Sequence, residues 1–282
     1  MKLRKKLVHT AATGASLAAY LYSQNTRFQT THYRIPIHQL AVENVGIKVA
    51  QLSDLHFPYI KINQNKLIQK LVQEQPDLIF LTGDQMDAAE PERWYELHTF
   101  LKRVSAIAPS YAIMGNHDHV NPNNEAIYQG TGVTFLNNQA ESITLPDRLP
   151  LLIMGVSEPS FVAKRKAKNL IKKVYVRPEW QEQTKLLLAH RPELFEKYQA
   201  DAEKAPDLTF SGHAHGGQVR IKGIGGLFAP GQGRLPKHTA GVFSLASDTH
   251  KKLVVSRGLG PSHFPLRVNN RPELVIVTLV RE

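Results

Sequence analysis

Leu208-Thr209-Phe210-Ser211-Gly212-His213-Ala214-His215-Gly216-Gly217-Gln218 is the stretch from which the rest is read. It opens as an apolar strand and stops at two histidines one residue apart, wrapped in glycines. In an extended segment, residues two apart point to the same side. Both imidazoles can therefore address one point just beyond the strand end. The glycines let the backbone turn sharply and come close to whatever sits there. Imidazole is the commonest protein metal ligand. Taken alone, the stretch reads as well as a polar loop with two surface histidines. Four other strand ends that carry the same kind of chemistry tip the balance.

Val45 to Ser53 reads as a buried strand and ends at Asp54-Leu55-His56. Asn65 to Gln75 has helical spacing in Leu67, Ile68, Leu71 and Val72 and stops at Pro76. Asp77 to Leu81 is the next strand, running into Thr82-Gly83-Asp84. A helix is expected over Pro91 to Ala106, then a strand over Ser110 to Met114 that ends at Gly115-Asn116-His117-Asp118. This strand–helix–strand rhythm implies parallel strands buried under helices. In such sheets, ligands gather beyond the carboxyl ends of the strands. The polar residues appear there each time. Further on, strands are expected over 142–145 and 151–156, a short helix over 178–184, and a strand over 186–189 that ends at His190. A helix over 193–200, a glycine-rich loop or hairpin over 221–233, and strands over 240–245, 253–256 and 274–279 complete the pattern. There are no internal repeats, and one catalytic domain over residues 45–282 is expected, after a lead-in at 27–44.

Composition narrows the chemistry. The 282 residues contain no cysteine, which removes disulfides, thiolate metal sites and cysteine nucleophiles. Any metal must rely on His, Asp, Glu and Asn, which suits zinc, manganese or iron better than copper(I). The net charge is +11, with one cluster at Lys2, Arg4, Lys5 and Lys6 and another from Lys164 through Arg165, Lys166 and Lys168 to Lys172 and Lys173. Such charge suggests an anionic partner. Leu7 to Thr26 is uncharged and moderately apolar behind its basic start. Residues 1–26 are therefore read as a signal or anchor segment that puts the protein at the cell membrane or envelope, with the globular part outside. The alternative is an amphipathic helix lying on the cytoplasmic face.

In this order the five blocks, Asp54-x-His56, Gly83-Asp84, Gly115-Asn116-His117-Asp118, His190 and Gly212-His213-Ala214-His215, resemble the calcineurin-like metallophosphoesterase superfamily. The resemblance covers about residues 45 to 280. The ending from Gly258 to Leu274 is similar to a bacterial branch of membrane- or wall-associated phosphodiesterases, the YkuE- and YaeI-like proteins. The resemblance implies a four-layer α-β-β-α sandwich, two mixed sheets flanked by helices, with a dinuclear metal site at the strand carboxyl ends.

It also implies roles. Asp84 bridges two divalent ions (manganese, zinc or iron). Asp54, His56 and His215 complete one ion, and Asn116, His190 and His213 the other. A hydroxide shared by both ions is the nucleophile. His117 binds a phosphoryl oxygen or protonates the leaving group, and Asp118 holds its ring. Arg191 and Arg267 are further candidates to grip a phosphate, and Phe57, Pro58 and Tyr59 to line a pocket rim. His119 and His263 read as surface histidines.

The expected activity is hydrolysis of phosphodiester or pyrophosphate bonds, on an anionic lipid-linked or cell-wall substrate. A nuclease or cyclic-nucleotide phosphodiesterase with the same centre is the alternative, although no stacking platform is interleaved with the basic run. A non-catalytic metal-holding surface protein is the third option.

Overall fold

The computed structural model describes residues 2–120, 124–157, 170–262, 264 and 266–282. The basic residues Lys164, Arg165, Lys166 and Lys168, and His263, lie outside the described residues. In chain order the helices are α1 (Lys2–Thr26), α2 (Gln64–Glu74), α3 (Trp94–Ser105) and the single turn α4 (Phe195–Tyr198). The strands of the first half are β1 (Gln29–Ile37), β2 (Lys48–Leu52), β3 (Leu78–Thr82), β4 (Ser110–Ile113), β5 (Val133–Phe135), β6 (Gln139–Ile143) and β7 (Leu151–Val156). Those of the second half are β8 (Thr184–Ala189), β9 (Leu208–Ser211), β10 (Arg220–Ile221), β11 (Gly225–Gly226), β12 (Phe228–Ala229), β13 (Gly233–Arg234), β14 (Gly241–Ser244), β15 (Lys252–Val255) and β16 (Glu273–Arg281).

The strands build two mixed six-stranded sheets, ordered β1-β16-β2-β3-β4-β5 and β14-β15-β9-β8-β7-β6. In the first sheet β2, β3, β4 and β5 run parallel, β16 is antiparallel to β2, and β1 is parallel to β16. In the second, β7, β8, β9 and β15 run parallel, with β6 and β14 antiparallel at its edges. The central strands of both sheets are buried on both faces, as near-continuous apolar runs such as Leu78-Ile79-Phe80-Leu81 require. Between the sheets, Phe80 of β3 meets Phe210 of β9 edge to face, with ring centroids 5.0 Å apart. Gln51 of β2 crosses the same interface. Its amide donates to Thr82 Oγ1 at 3.0 Å and to the Ser211 carbonyl at 2.9 Å.

On the outer face of the first sheet, α2 and α3 bury Leu67, Leu71, Leu97, Phe100, Leu101 and Val104. Asn63 caps α2 by accepting from the Lys66 N–H at 3.0 Å, and Gln75 ends it in a left-handed turn ahead of Pro76. The outer face of the second sheet packs on Leu170, Ile171, Val174 and Tyr198. This is the α-β-β-α arrangement, and it brings the carboxyl ends of β2, β3, β4, β8 and β9 to one edge.

Two expectations change. The first concerns the amino terminus. α1 does form, but no helix among the described residues is long and apolar enough to cross a membrane. His9, Thr10, Thr13, Gly14 and Ser16 dilute the apolar content below what hydrocarbon demands. The anchor, the membrane as a partner and the placement at the membrane or envelope that rested on it are therefore corrected. The last turns of α1 instead dock on the protein. Asn270 N–H donates to Gln24 Oε1 at 3.1 Å, Arg267 N–H to Asn25 Oδ1 at 3.0 Å, and Tyr20 hydroxyl to Asn269 Oδ1 at 2.6 Å. The second concerns residues 178–184. Only Pro178–Trp180 makes a helical turn, and Thr184 already opens β8.

Candidate metal centre

Each expected ligand follows a strand that ends at this edge. Asp54 and His56 follow β2, Asp84 follows β3, Asn116 and His117 follow β4, His190 follows β8, and His213 and His215 follow β9. The chain must turn back at once, and it does so at a steric cost. Asp54, His56, Asp84, His213 and His215 all have φ between 45° and 65°. In this left-handed region each non-glycine residue costs on the order of 1–3 kcal/mol. Such strain persists only where the surroundings over-determine it, and it clusters at functional sites. Two glycines allow the tight approach. A Cβ on Gly115 would collide with the Asp84 carboxylate, and one on Gly212 with Ser53 Oγ and Asp54 Oδ2.

Two buried groups of ligand atoms result: Asp54, His56 and His215, and Asp84, His190 and His213. In the first, His215 Nε2 lies 3.6 Å from Asp54 Oδ1 and 3.3 Å from His56 Nε2. In the second, His190 Nε2 lies 3.1 Å from Asp84 Oδ2. The groups adjoin, with His56 Nε2 3.9 Å from the same Asp84 oxygen. Asn116 is buried and lines the cleft, of about 360 Å³, into which His56, Asp84, His213 and His215 also open.

The donor set fits two divalent ions. Asp54 Oδ2, Asn116 Oδ1 and His213 Nε2 are buried without a hydrogen-bond partner, a costly state for lone pairs unless a cation takes them. The protonation of His213, His215 and Asp84 agrees. Burial, joined by the charges of His190 on one and His56 on the other, holds His213 and His215 well below the usual imidazole range. They therefore stay neutral and present lone pairs. Burial works against ionising Asp84, but the charges of His190, His56 and His117 overcome it and hold the carboxyl well below its usual range. The ring orientations are fixed from behind. His190 Nδ1–H donates to the Thr82 carbonyl at 2.8 Å and His56 Nδ1–H to Asp87 Oδ2 at 3.1 Å, which turns each Nε2 toward the centre.

The sequence model of the calcineurin-like phosphoesterase family matches residues 47–217, which spans all these positions. The chain belongs to the calcineurin-like phosphoesterase family. It is 28% identical to the metallophosphoesterase YkuE of Bacillus subtilis (strain 168), over 96% of this chain and 91% of that protein. It is 28% identical to phosphodiesterase YaeI of Escherichia coli (strain K12), over 98% of each. It is 24% identical to UDP-2,3-diacylglucosamine pyrophosphatase LpxG of Chlamydia muridarum (strain MoPn / Nigg), over 84% of each. The protein is a metallophosphoesterase, and its two clusters are those of a dinuclear divalent-metal site.

Several residues take places that the sequence did not assign. Asp87 groups with His56 and His117, 3.9 Å from His117 Nδ1, and links the metal edge to the cleft wall. Glu193 approaches His213 Nε2 at 3.9 Å and Arg191 at 3.6 Å, with its carboxyl pushed up by burial. The carboxylate of Asp118 accepts three backbone N–H bonds, from Asp84 and Met86 at 2.8 Å and from Gly115 at 2.7 Å. It thereby clasps the β3 and β4 loops together. Burial and the charge of Asp84 push its carboxyl up to about 7.

Arg267 is buried, and its guanidinium donates to the Arg257 carbonyl at 2.8 Å and the Gly260 carbonyl at 2.7 Å. It supports the chain behind His215, 3.5 Å from its Nδ1, and does not line the cleft. Phe57 packs on Phe100 in the core, whereas Tyr59 lines the cleft.

Proposed function

We propose that this metallophosphoesterase hydrolyses a phosphodiester or pyrophosphate bond of an anionic, lipid-linked substrate, and that it belongs to the YkuE- and YaeI-like branch. The observation that carries this reading is the pair of adjoining clusters opening into one cleft, with His117 on its wall. The names of two relatives support it, one a phosphodiesterase and one a pyrophosphatase of a diacylated nucleotide sugar.

Asp54, His56 and His215 would hold one ion, and Asn116, His190 and His213 the other, with Asp84 between them. The two cations, when bound, supply Lewis acidity toward the phosphoryl group and acidify water. Neutral Asn116 adds an oxygen ligand without adding charge that would weaken that acidity.

His117 is the protein's own proton carrier. Its side chain lines the cleft and stands edge-on to His56, with ring centroids 4.8 Å apart. From there it hydrogen-bonds a phosphoryl oxygen or delivers a proton to the departing alkoxide. Asp87 Oδ2 faces its Nδ1 at 3.9 Å. The backbone N–H of His117 donates to Asp84 Oδ1 at 2.8 Å, so the loop after β4 that carries the proton carrier is tied to the bridging carboxylate on the loop after β3. Asp118 acts through the β4 loop by fixing it to the β3 end.

The test is a hydrolysis panel on protein loaded with manganese, zinc or iron: an aryl phosphodiester, an aryl phosphomonoester, a diacylated nucleotide sugar and DNA. Turnover led by the nucleotide-sugar lipid supports the proposal. Preference for DNA, or no turnover with both ions bound, refutes it.

A further inference from the structure

Beside the metal cleft runs a second groove, of about 410 Å³. Val219, Leu227, Phe228, Pro230 and Phe264 line it, with no charged residue among the described residues of its walls. Pro230 and Ser262 line both hollows, so the groove adjoins the cleft. Phe228 and Phe264 are each 52% exposed, a large apolar surface to leave facing water at the mouth of a catalytic site.

The walls are also rigidly tied to the metal ligands. Gln218 directly follows the His215–Gly217 turn, Leu227 N–H donates to the Gly217 and Val219 carbonyls, and Val219 bridges to Val268. Among the described residues two polar side chains, Ser262 and Gln218, lie in this apolar lining. Gln218 is 6% exposed, and neither end of its carboxamide has a hydrogen-bond partner. A buried amide left unpaired is costly, and a ligand oxygen would relieve it.

We propose that this groove is an acyl-chain subsite. It takes the hydrocarbon chain of the substrate whose phosphoryl group lies at the metal centre, and the Gln218 amide meets the carbonyl that heads the chain. The proposal rests on the phosphoesterase reading above and gives it a substrate class, an acylated phosphoester. Nucleic acid fits the groove poorly, because single-strand binders combine exposed aromatic rings with cations along the backbone path, and the described residues of these walls include no cation. An isoprenoid chain lacks the carbonyl that would satisfy Gln218.

The experiment is calorimetric titration of the full-length, metal-loaded protein with lysophosphatidic acids of four to twelve carbons, below their micelle concentrations. Affinity is expected to rise about two- to fourfold per added methylene until the groove is filled. The matching ether lipids, which lack the carbonyl, are expected to bind several-fold more weakly. Phe228→Asp and Phe264→Asp, both at exposed positions, are expected to cut the increment per methylene to less than about 1.5-fold. Leu149→Asp, at an exposed apolar residue outside the groove, should keep the wild-type increment.

No dependence on chain length, an unchanged increment in the groove variants, a lost increment in Leu149→Asp, or displacement of the lipids by oligothymidylate would each overturn the subsite. Ether lipids or isoprenyl phosphates binding as tightly as the acyl series would overturn the acyl assignment. Turnover of an aryl phosphodiester is measured on the same samples. Turnover without an increment sinks the groove alone, whereas an increment without turnover sinks the reading of the reaction and leaves the groove standing.

Discussion

Asp87 provides the sharpest test of how the centre is held. Its carboxylate accepts from His56 Nδ1–H at 3.1 Å, and its side chain is 21% exposed, so solvent screens the bond only in part. A hydrogen bond to a charged partner contributes about 1.5–3 kcal/mol and a neutral one about 0.5–1.5 kcal/mol. Asp87→Asn keeps the shape and an acceptor oxygen, so it should lose only the difference, about 1–1.5 kcal/mol, or roughly five- to fifteenfold in metal affinity. Asp87→Ala removes the support altogether and should lose about 10- to 100-fold. The loss should fall on one ion, because Asp87 adjoins the cluster containing His56. Competition with a chelator, read as two separate dissociation constants, measures this directly. Equal weakening of both ions, or no weakening of either in Asp87→Ala, would show that the His56 orientation does not depend on this bond.

Three other changes probe different links in the argument. His117→Ala should lower turnover about 10²- to 10⁴-fold while metal analysis still finds two ions per chain; a loss of stoichiometric metal would make His117 a ligand. Gln51→Ala strips a partner from the buried Ser211 carbonyl and opens a cavity between the sheets, so denaturant unfolding of the metal-free protein should show a loss of about 2–4 kcal/mol. Gln24→Ala leaves the Asn270 N–H buried without its acceptor and should cost about 1–3 kcal/mol, with the weaker grip on His215 visible as faster release of one ion. Unchanged stability and release in that variant would mean that the end of α1 merely lies against the 267–270 loop.

The metal edge was legible because ligation admits few side-chain types and parallel sheets put their ligands in one place. Asp54, Asp84, Asn116, His190 and the paired histidines each directly follow an apolar run, so the pattern can be read locally. Other features cannot. β1 carries Gln29-Thr30-Thr31-His32 before any large apolar residue, and its partner β16 lies more than 200 residues away, so nothing nearby marks it as a strand. Asp87 sits just past a recognised block and takes its meaning from His56 and His117, which only the fold brings to it. Glu193 likewise reads as the start of a helix until His213 is placed beside it. The left-handed backbone at five ligand positions cannot be read from residue type, since Asp and His adopt such angles more often than most residues but still in only a small minority of cases.

The misread amino-terminal helix shows why composition alone fails at such a segment. Uncharged, small and aromatic residues behind a basic start suit a lipid core, but they also suit a helix that packs by its last two turns. The deciding residues are the polar ones near its end. Gln24 is buried with its oxygen on the Asn270 N–H, and Asn25 accepts from the Arg267 N–H. Asn270 in turn donates to the His215 carbonyl at 2.8 Å, and Arg267 lies against the His215 ring. His215 holds a strained backbone angle, and such an angle persists only if its neighbours forbid relaxation. The helix end, the 267–270 loop and the carbonyl of His215 form one continuous hydrogen-bonded brace. The polar residues at the end of α1, Gln24 and Asn25, therefore help hold a metal ligand in place.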